Sequence, residues 1–556
     1  MTKLKVPSIL PLLCIIALAV GLSTLNLMAT QPQVMSNAVV NYPVQADVSA
    51  PLSSYPAVPM AVSSRAHAPL KPKLQQLQAM GAAAGQPLHS PLGLAGPSVG
   101  LNFQGISGDP GSPASINCPV KSGVQLAPPD TNAAIGDTQI VQWVNICYSV
   151  FDKTTGALIA GPFAGNQFWA GFGGACQLDN DGDIIIQWDK ANHVWVASQN
   201  VFGPFMTCIA VSKTADATGA YNRFAFLQSG FPDYPKWGLT PSVYYQTQND
   251  FGSGSAYVGV NVCAYDGVGL RSGNKKTKQI CILDNSGGTL FDDSMLPADS
   301  DSDPPPAAGP APEVLVGSID NTNPGSNVFY YVLNVSFKGK GKATLTGTNG
   351  TLPIRVPQYS LACGGFGACI PQPSAGSELL DALGDRLMYR LAFFDDGTTQ
   401  HFLVTHSVND SASAVGARWY EFTSPSSAST PTLALAQSGQ TPPDGHFRWM
   451  GSIARDKFGD LALGYSRSSA AAGDFPSIYV SGQTAGEPLN TTDPEVLVKQ
   501  GSGSQFSTGS RWGDYSSMAL DGVDQCTFLY TTEYYPFDGS FQWYTWVAVV
   551  KFPSCP

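Results

Sequence analysis

Aspartates and arginines recur beside apolar segments along this chain. They stand at Pro129-Asp130-Thr131, Gly182-Asp183-Ile184, Pro232-Asp233-Tyr234, Gly384-Asp385-Arg386, Phe447-Arg448-Trp449 and Ser510-Arg511-Trp512. Carboxyl groups brought together can give and take protons, because burial and mutual repulsion spread their proton affinities. Guanidinium groups grip carboxylates through two parallel hydrogen bonds. If the segments converge, Asp130, Asp183, Asp233, Asp385, Arg386, Arg448, Arg511 and Asp514 form one polar site. The plainer reading is that these groups tie neighbouring segments together as buried ion pairs and Asp–backbone bonds.

Other chemistry is less well supported. Asp179-Asn-Asp181-Gly-Asp183 starts like a calcium loop, with alternating carboxylates for a hard cation, but the later glycine and glutamate are missing. A polar turn is the better expectation there, with Asp179, Asp181 and Asp183 kept as the metal candidates and no other cofactor expected. His446 lies beside Arg448 and is placed with it. His401 and His406 are five residues apart, on opposite faces of one strand, which argues against a two-histidine metal site. The sequence holds no Gly-x-Ser-x-Gly, Walker or His-Glu-x-x-His motif.

The elements that must position these residues are short strands. With 58 glycines, 43 prolines and 12% charged residues among 556, the composition favours strands and turns over helices. A net charge of −11 argues against a nucleic-acid partner. Asp-led turns repeat at Asp152-Lys-Thr-Thr-Gly, Asp189-Lys-Ala-Asn, Asp396-Gly-Thr-Thr, Asp456-Lys-Phe-Gly and Asp521-Gly-Val-Asp, each between apolar or aromatic runs. The charged segments start 53, 50, 152, 63 and 63 residues apart, and the long interval has room for one more unit near Val314–Phe337. An acidic, proline-rich loop, Asp299–Pro306, would precede that unit. Units of about 65 residues fill Val99–Pro556 as a single all-β propeller, with seven blades preferred over six. Val99–Ile106 is expected to close the ring on the last blade. A pair of β-sandwiches is the alternative.

The first 29 residues read as a signal peptide: Lys3 and Lys5, then an apolar run from Val6 to Met28. An uncleaved anchor is the competing reading. Residues 30–97, with ten prolines and four charges, read as a disordered Pro/Ala-rich linker or pro-segment, allowing a short helix at Leu74–Ala84. Residues 98–556 are the propeller. Beyond Cys14, ten cysteines remain, an even number that suits disulfides in an exported chain. Pairing in consecutive order is the simplest connectivity.

Pro-Pro-Asp130-Thr-Asn, Asp233-Tyr-Pro-Lys, Asp385-Arg-Leu-Met-Tyr-Arg, His446-Phe-Arg-Trp-Met-Gly-Ser and Arg511-Trp-Gly-Asp-Tyr-Ser-Ser carry a resemblance. They resemble segments of exported bacterial β-propeller proteins with sialidase-like repeats, over most of residues 99–556. The turn Ser452-Ile-Ala-Arg-Asp456-Lys-Phe-Gly459 is a stretched relative of the sialidase Asp-box. The resemblance implies a secreted, periplasmic or cell-surface glycoside hydrolase acting on extracellular glycans. In such an enzyme Tyr515 is the nucleophile, activated by a carboxylate such as Glu533, and Asp130 or Asp233 donates the proton, with Asp514 beside them. Asp385, Arg386, His446, Arg448 and Arg511 hold the substrate, the three arginines gripping an acidic sugar. A monomer without a membrane span after signal cleavage is expected. The other readings are a non-catalytic propeller binding a carbohydrate or protein ligand, and a structural cell-envelope protein.

Overall fold

Runs rich in Val, Ile, Tyr, Phe and Trp, broken by Gly, Asp, Asn or Ser, fold as antiparallel strands. The computed structural model describes residues 31–55, 96–119, 127–253, 256–286, 294–302, 312–319, 324–365, 367–374, 376–411 and 414–556. The expected signal segment and the expected Leu74–Ala84 helix lie outside them. The strands hydrogen-bond into consecutive up-and-down meanders. These open with Thr131–Ile135, Ile185–Asp189, Pro232–Leu239, Leu296–Ser300, Leu387–Asp395, Phe447–Arg455 and Ser517–Leu520. Each opening strand lies against the next, and Ser517–Leu520 returns to Thr131–Ile135. The meanders therefore circle an axis lined by their opening strands, and the protein is an all-β propeller.

Closure follows the expected route. Ser98–Ser107 pairs with Tyr544–Lys551, Phe103 standing opposite Val547, so the start of the domain completes the last meander. The fourth and fifth meanders are also joined by a parallel pairing of Leu296–Ser300 with Leu387–Asp395, Ala298 facing Leu391. Asp299 thus belongs to an axial strand, not to the acidic loop expected from sequence, and residues 303–306 of that loop lie outside the described residues. The disulfides pair in consecutive order: Cys118–Cys147, Cys176–Cys208, Cys263–Cys281, Cys363–Cys369 and Cys526–Cys555.

The Asp-led turns work by capping. Asp396 accepts the amides of Thr398 and Thr399, each at 2.8 Å, and Asp456 accepts those of Phe458 and Asp460 at 2.8 and 2.9 Å. Four of the five turns join an opening strand to the second strand of its meander. Asp152 instead sits between the third and fourth strands, Cys147–Asp152 and Leu158–Ala164.

One expectation fails in part. Residues 33–48, assigned to a structureless linker, form three short strands that extend the outer edges of three successive meanders. Gln45–Val48 pairs with Tyr221–Leu227, Val39–Asn41 with Gln279–Asp284, and Gln33–Met35 with Lys342–Thr348. A three- or four-residue strand has no periodicity of its own to read; it exists because an edge offers unpaired amides and carbonyls. Asp47 anchors the segment through a two-pronged bond to Arg223, at 2.7 and 2.9 Å.

Apolar faces of adjacent meanders pack into the core. Phe528, Tyr530, Tyr465, Leu463 and Met518 fill the space between the sixth and seventh. Gly464 makes room there: a Cβ at that position would lie 2.4 Å from the Tyr530 ring. Gly464→Ala is expected to destabilise the protein by about 1–3 kcal/mol through overpacking. Denaturant unfolding checks this, and an unchanged midpoint would show that Tyr530 has room to move.

Candidate functional site

The opening strands enter the axis through left-handed residues. Asp130, Asp183 and Tyr234 have φ of 46°, 48° and 55°. Aspartate tolerates this conformation better than most residues because its short polar side chain bonds locally. The side chains at these entries then meet across the channel. Tyr515, of the seventh meander, donates its hydroxyl to the Ile184 carbonyl of the second at 3.0 Å. Tyr234, of the third, donates to the Asp514 carbonyl of the seventh at 3.3 Å. Asp183 accepts the Tyr234 amide at 2.9 Å. The first two bonds join non-adjacent meanders and place the cluster on the axis.

Two ion pairs flank this centre. Arg386 grips Asp385 with both prongs, at 2.9 and 3.0 Å, and lies over the Tyr234 ring, 4.6 Å from its centroid. Arg511 bonds Asp514, and this pair is the part of the cluster most open to solvent, with side chains 19% and 18% exposed. Between the pairs sits Lys236, 1% exposed, its Nζ 3.4 Å from the Tyr234 ring centroid and 4.0 Å from that of Tyr515. Nζ donates to the Pro235 carbonyl at 3.0 Å.

Burial sets the proton affinities. Asp130 is 2% exposed, and its Oδ1 accepts no hydrogen bond from the described residues. Burial pushes its carboxyl well above the ordinary range, Asp514 and Asp183 add to the push, and Arg511 and Lys236 oppose it. Burial likewise raises Asp183 to about 6, against the Tyr234 amide bond. It drives Lys236 down to about 7, against the pull of Asp183, Asp130 and Asp514. The outcome is a carboxyl group that releases its proton at a higher pH than ordinary carboxylates do, near a carboxylate held by an arginine. Such a pair can donate a proton and stabilise positive charge.

Seven of the expected site residues thus come together: Asp130, Asp183, Asp385, Arg386, Arg511, Asp514 and Tyr515. Arg448 and His446 do not join them. Asp233 stands opposite Asn249 in the sheet, and a register shift between Asp233 and Lys236 interrupts the pairing there. Arg448 is fully buried in another network, bonding Glu495 and Asp444, and Arg467 bonds Glu495 at 2.9 Å. His446 faces Asp444 and Asp474 at 3.0 and 3.5 Å. The expected clamp of three arginines is therefore reduced to two, each already paired with an aspartate.

Tyr515 departs from the role of nucleophile. Its hydroxyl donates to a carbonyl, and burial with Asp130, Asp183 and Asp514 pushes its titration well above the usual value, so the neutral phenol is favoured. Glu533 is buried against Gly513; burial pushes its carboxyl up, against the Gly513 amide, and Asp514 adds to the push. Two of the calcium candidates, Asp181 and Asp183, each accept a backbone amide. Asp181 accepts the Phe202 amide at 2.8 Å while Asp183 accepts that of Tyr234, so the carboxylates serve different backbone groups. Among the described residues, the metal-capable side chains that do cluster are Asp524, Cys526 and Cys555, and the two sulfurs are joined as a disulfide.

Sequence reasoning missed Lys236, Tyr234, Tyr389 and Asp381. The available signal for Lys236 was a lysine set between Pro235 and Trp237 in an opening strand. Beyond Tyr389, the axis holds a cavity lined by Ala133, Ile186, Gln187, Lys190, Asp299 and Ser517, among others. Arg390 bonds Asp299 at 3.0 Å and also Asp301, and Lys190 meets Asp301 at 2.7 Å, a closed network of four charges.

Asp381 provides a check on this electrostatic picture. Burial raises its carboxyl to about 6, although it accepts the Leu383 amide at 2.8 Å. A carboxyl raised in the fold stabilises fully below its unfolded value near 4, and that stability is lost as pH rises through 6. Asp381→Asn keeps an acceptor for Leu383 and cannot ionise. Between pH 4 and 7 the variant is expected to lose about 2–3 kcal/mol less stability than wild type. Urea unfolding across that range checks this, and parallel curves would contradict it.

No family model matches the chain, and no curated protein sequence matches it. Solved structures share the fold at low identity. Extracellular domains 1–2 of Drosophila semaphorin 1b are 8% identical over 84% of this chain and 87% of that one, with a TM-score of 0.36. The polysaccharide lyase Uly1 is 10% identical over 83% and 99%, with a TM-score of 0.38. The subtype N11 neuraminidase-like protein of A/flat-faced bat/Peru/033/2010 (H18N11) is 9% identical over 74% and 99%, with a TM-score of 0.32. Likeness at this level says nothing about activity; the propeller itself is read from the strand pairing.

Proposed function

We propose that the chain is an exported, disulfide-stapled propeller that hydrolyses extracellular glycans at its axial mouth. The observation that carries this reading is a buried carboxyl, Asp130, pushed above the ordinary range by burial and by the charge of Asp514, a partly exposed carboxylate bonded to Arg511. Glycoside hydrolysis needs two carboxyl groups in different protonation states flanking one bond. Asp130 gives its proton to the glycosidic oxygen, and Asp514 stabilises the positive charge that develops on the sugar ring or draws a proton from the attacking water. Arg511 and Arg386 meet sugar hydroxyls or a sugar carboxylate. Tyr515 and Tyr234 position the loop that carries Asp514 through their hydrogen bonds. Five disulfides support export, and no helix among the described residues is long and apolar enough to cross a membrane. Against catalysis stands one observation: both arginines are already paired, which suits a cluster that only ties the meanders together.

Screening neutral and acidic aryl glycosides and polysaccharides between pH 5 and 8 tests the proposal. Asp130→Asn and Asp514→Asn are expected to lower turnover by roughly 100-fold or more while the melting temperature stays within a few degrees. Full activity in both variants would overturn the assignment. No turnover of any substrate by wild type, with both variants unfolding, would favour the tie between meanders.

A further inference from the structure

The chain between the fourth and fifth meanders reaches across to the sixth and seventh before it enters the axis. After Pro353–Tyr359 it turns through Ala362–Gly364, where Cys363 is joined to Cys369, and Ala368–Ile370 pairs with Leu380–Asp381. The described residues of this segment bond both meanders. Ser468 of the sixth donates its hydroxyl to the Pro371 carbonyl at 2.9 Å. The Gln372 side chain accepts the Gln505 amide at 2.7 Å and donates to the Gln505 carbonyl at 3.2 Å. Ser374 donates to the Asp538 carboxylate, at 2.9 and 3.0 Å from its two oxygens.

Glu378 makes the densest set of these contacts. Its Oε1 accepts the Thr508 amide at 2.9 Å, the Thr508 hydroxyl at 2.5 Å and the Gln505 side-chain amide at 3.2 Å. Its Oε2 accepts the Ser510 amide at 2.8 Å. Amides converging on one carboxylate form an anion-binding nest, and bonds to a charged acceptor are the strong ones. Burial pushes the Glu378 carboxyl up, but Thr508, Ser510 and Gln505 hold it below the ordinary range, so the acceptor is charged at neutral pH. The turn it grips needs such support. Ser507, Gly509 and Ser510 have φ of 54°, 71° and 68°, and serine keeps a left-handed conformation only where its surroundings impose it. The Asp381 amide adds a bond to the Ser510 carbonyl at 2.8 Å. Arg511 follows Ser510 directly and bonds Asp514, the pair most open to solvent.

Resting on the roles given to Arg511 and Asp514 above, we propose that Glu378 is the positioning residue for that pair, its carboxylate fixing the turn Thr508–Ser510 from which Arg511 projects. The hold comes from the entry to the fifth meander and acts on the entry to the seventh, so it spans meanders that do not touch in the ring order. Ser374 fastens the same segment at Asp538, on a different loop of the seventh meander, and so ties the segment down without shaping the turn. Glu378→Ala removes the carboxylate, Glu378→Gln keeps its length and one acceptor, and Ser374→Ala is the control. Amide hydrogen exchange followed by NMR reads the turn. The carbon-13 carboxyl resonance of Asp514, assigned by the signal lost in Asp514→Asn, reads its pairing with Arg511.

In Glu378→Ala the Thr508 and Ser510 amides are expected to lose protection by about tenfold or more, and the Asp514 resonance to move. Glu378→Gln should show smaller changes of the same kind, and Ser374→Ala none. With a glycoside substrate, Glu378→Ala is expected to lower kcat/KM by about tenfold or more, while Ser374→Ala stays within about twofold of wild type. Amides that stay protected, or an Asp514 resonance that stays in place, in Glu378→Ala would overturn the proposal. Equal changes in Ser374→Ala, or loss of the fold in both Glu378 variants, would mark Glu378 as an ordinary fastening and overturn it too. The NMR readouts need no substrate, so they separate this proposal from the hydrolase reading. A released turn and a shifted Asp514 resonance with no glycoside turned over sustain the hold on the pair and sink the hydrolase reading alone. Undiminished turnover in Glu378→Ala sinks the proposal and leaves that reading in place.

Discussion

Charge without water is the constraint on which the axis of this propeller depends. Opening strands that converge on one line bring their entry residues together whatever those residues are. Here they bring four aspartates, two arginines and a lysine into a space that is almost closed to solvent. An unpaired ion there costs several kcal/mol, so each group must find a partner or change its protonation state. Arg386 with Asp385 and Arg511 with Asp514 take the first course. Burial pushes Asp130 toward the second, and Asp183 and Lys236 sit near the balance point between the two.

The far end of the same axis shows the other solution. Arg390, Asp299, Asp301 and Lys190 are joined directly, and Arg390 also bonds the Met518 carbonyl at 2.9 Å. Each charge there touches an opposite one, so the network binds the second, fourth, fifth and seventh meanders. At the mouth Arg386 and Arg511 pair with Asp385 and Asp514, while burial pushes the Asp130 carboxyl above the ordinary range.

Much of the fold was legible because it rests on local signals. Asp396 and Asp456 cap their own turns, so an Asp-led turn reads as a hairpin wherever it occurs. Cysteines on neighbouring strands, such as Cys263 opposite Cys281, pair with their nearest successor. The short strands of residues 33–48 were not legible, since what makes them strands is an edge far away in sequence. The site was half legible. Recurrence located Asp130, Asp183, Arg386, Arg511 and Asp514, but Lys236 follows a register shift after Asp233 that no residue type marks. Arg448 begins its strand as expected and still turns to Glu495, because the sixth meander supplies that carboxylate and the axis does not.

The account stands on burial holding the Asp130 proton beyond the pH at which ordinary carboxylates ionise. Carbon-13 NMR of aspartate-labelled protein, with Asp130 assigned by the signal lost in Asp130→Asn, observes that proton directly. The account predicts a carboxyl resonance that stays in its protonated position after the ordinary carboxylates have ionised. Ionisation of Asp130 near pH 4, with the ordinary carboxylates, would contradict it.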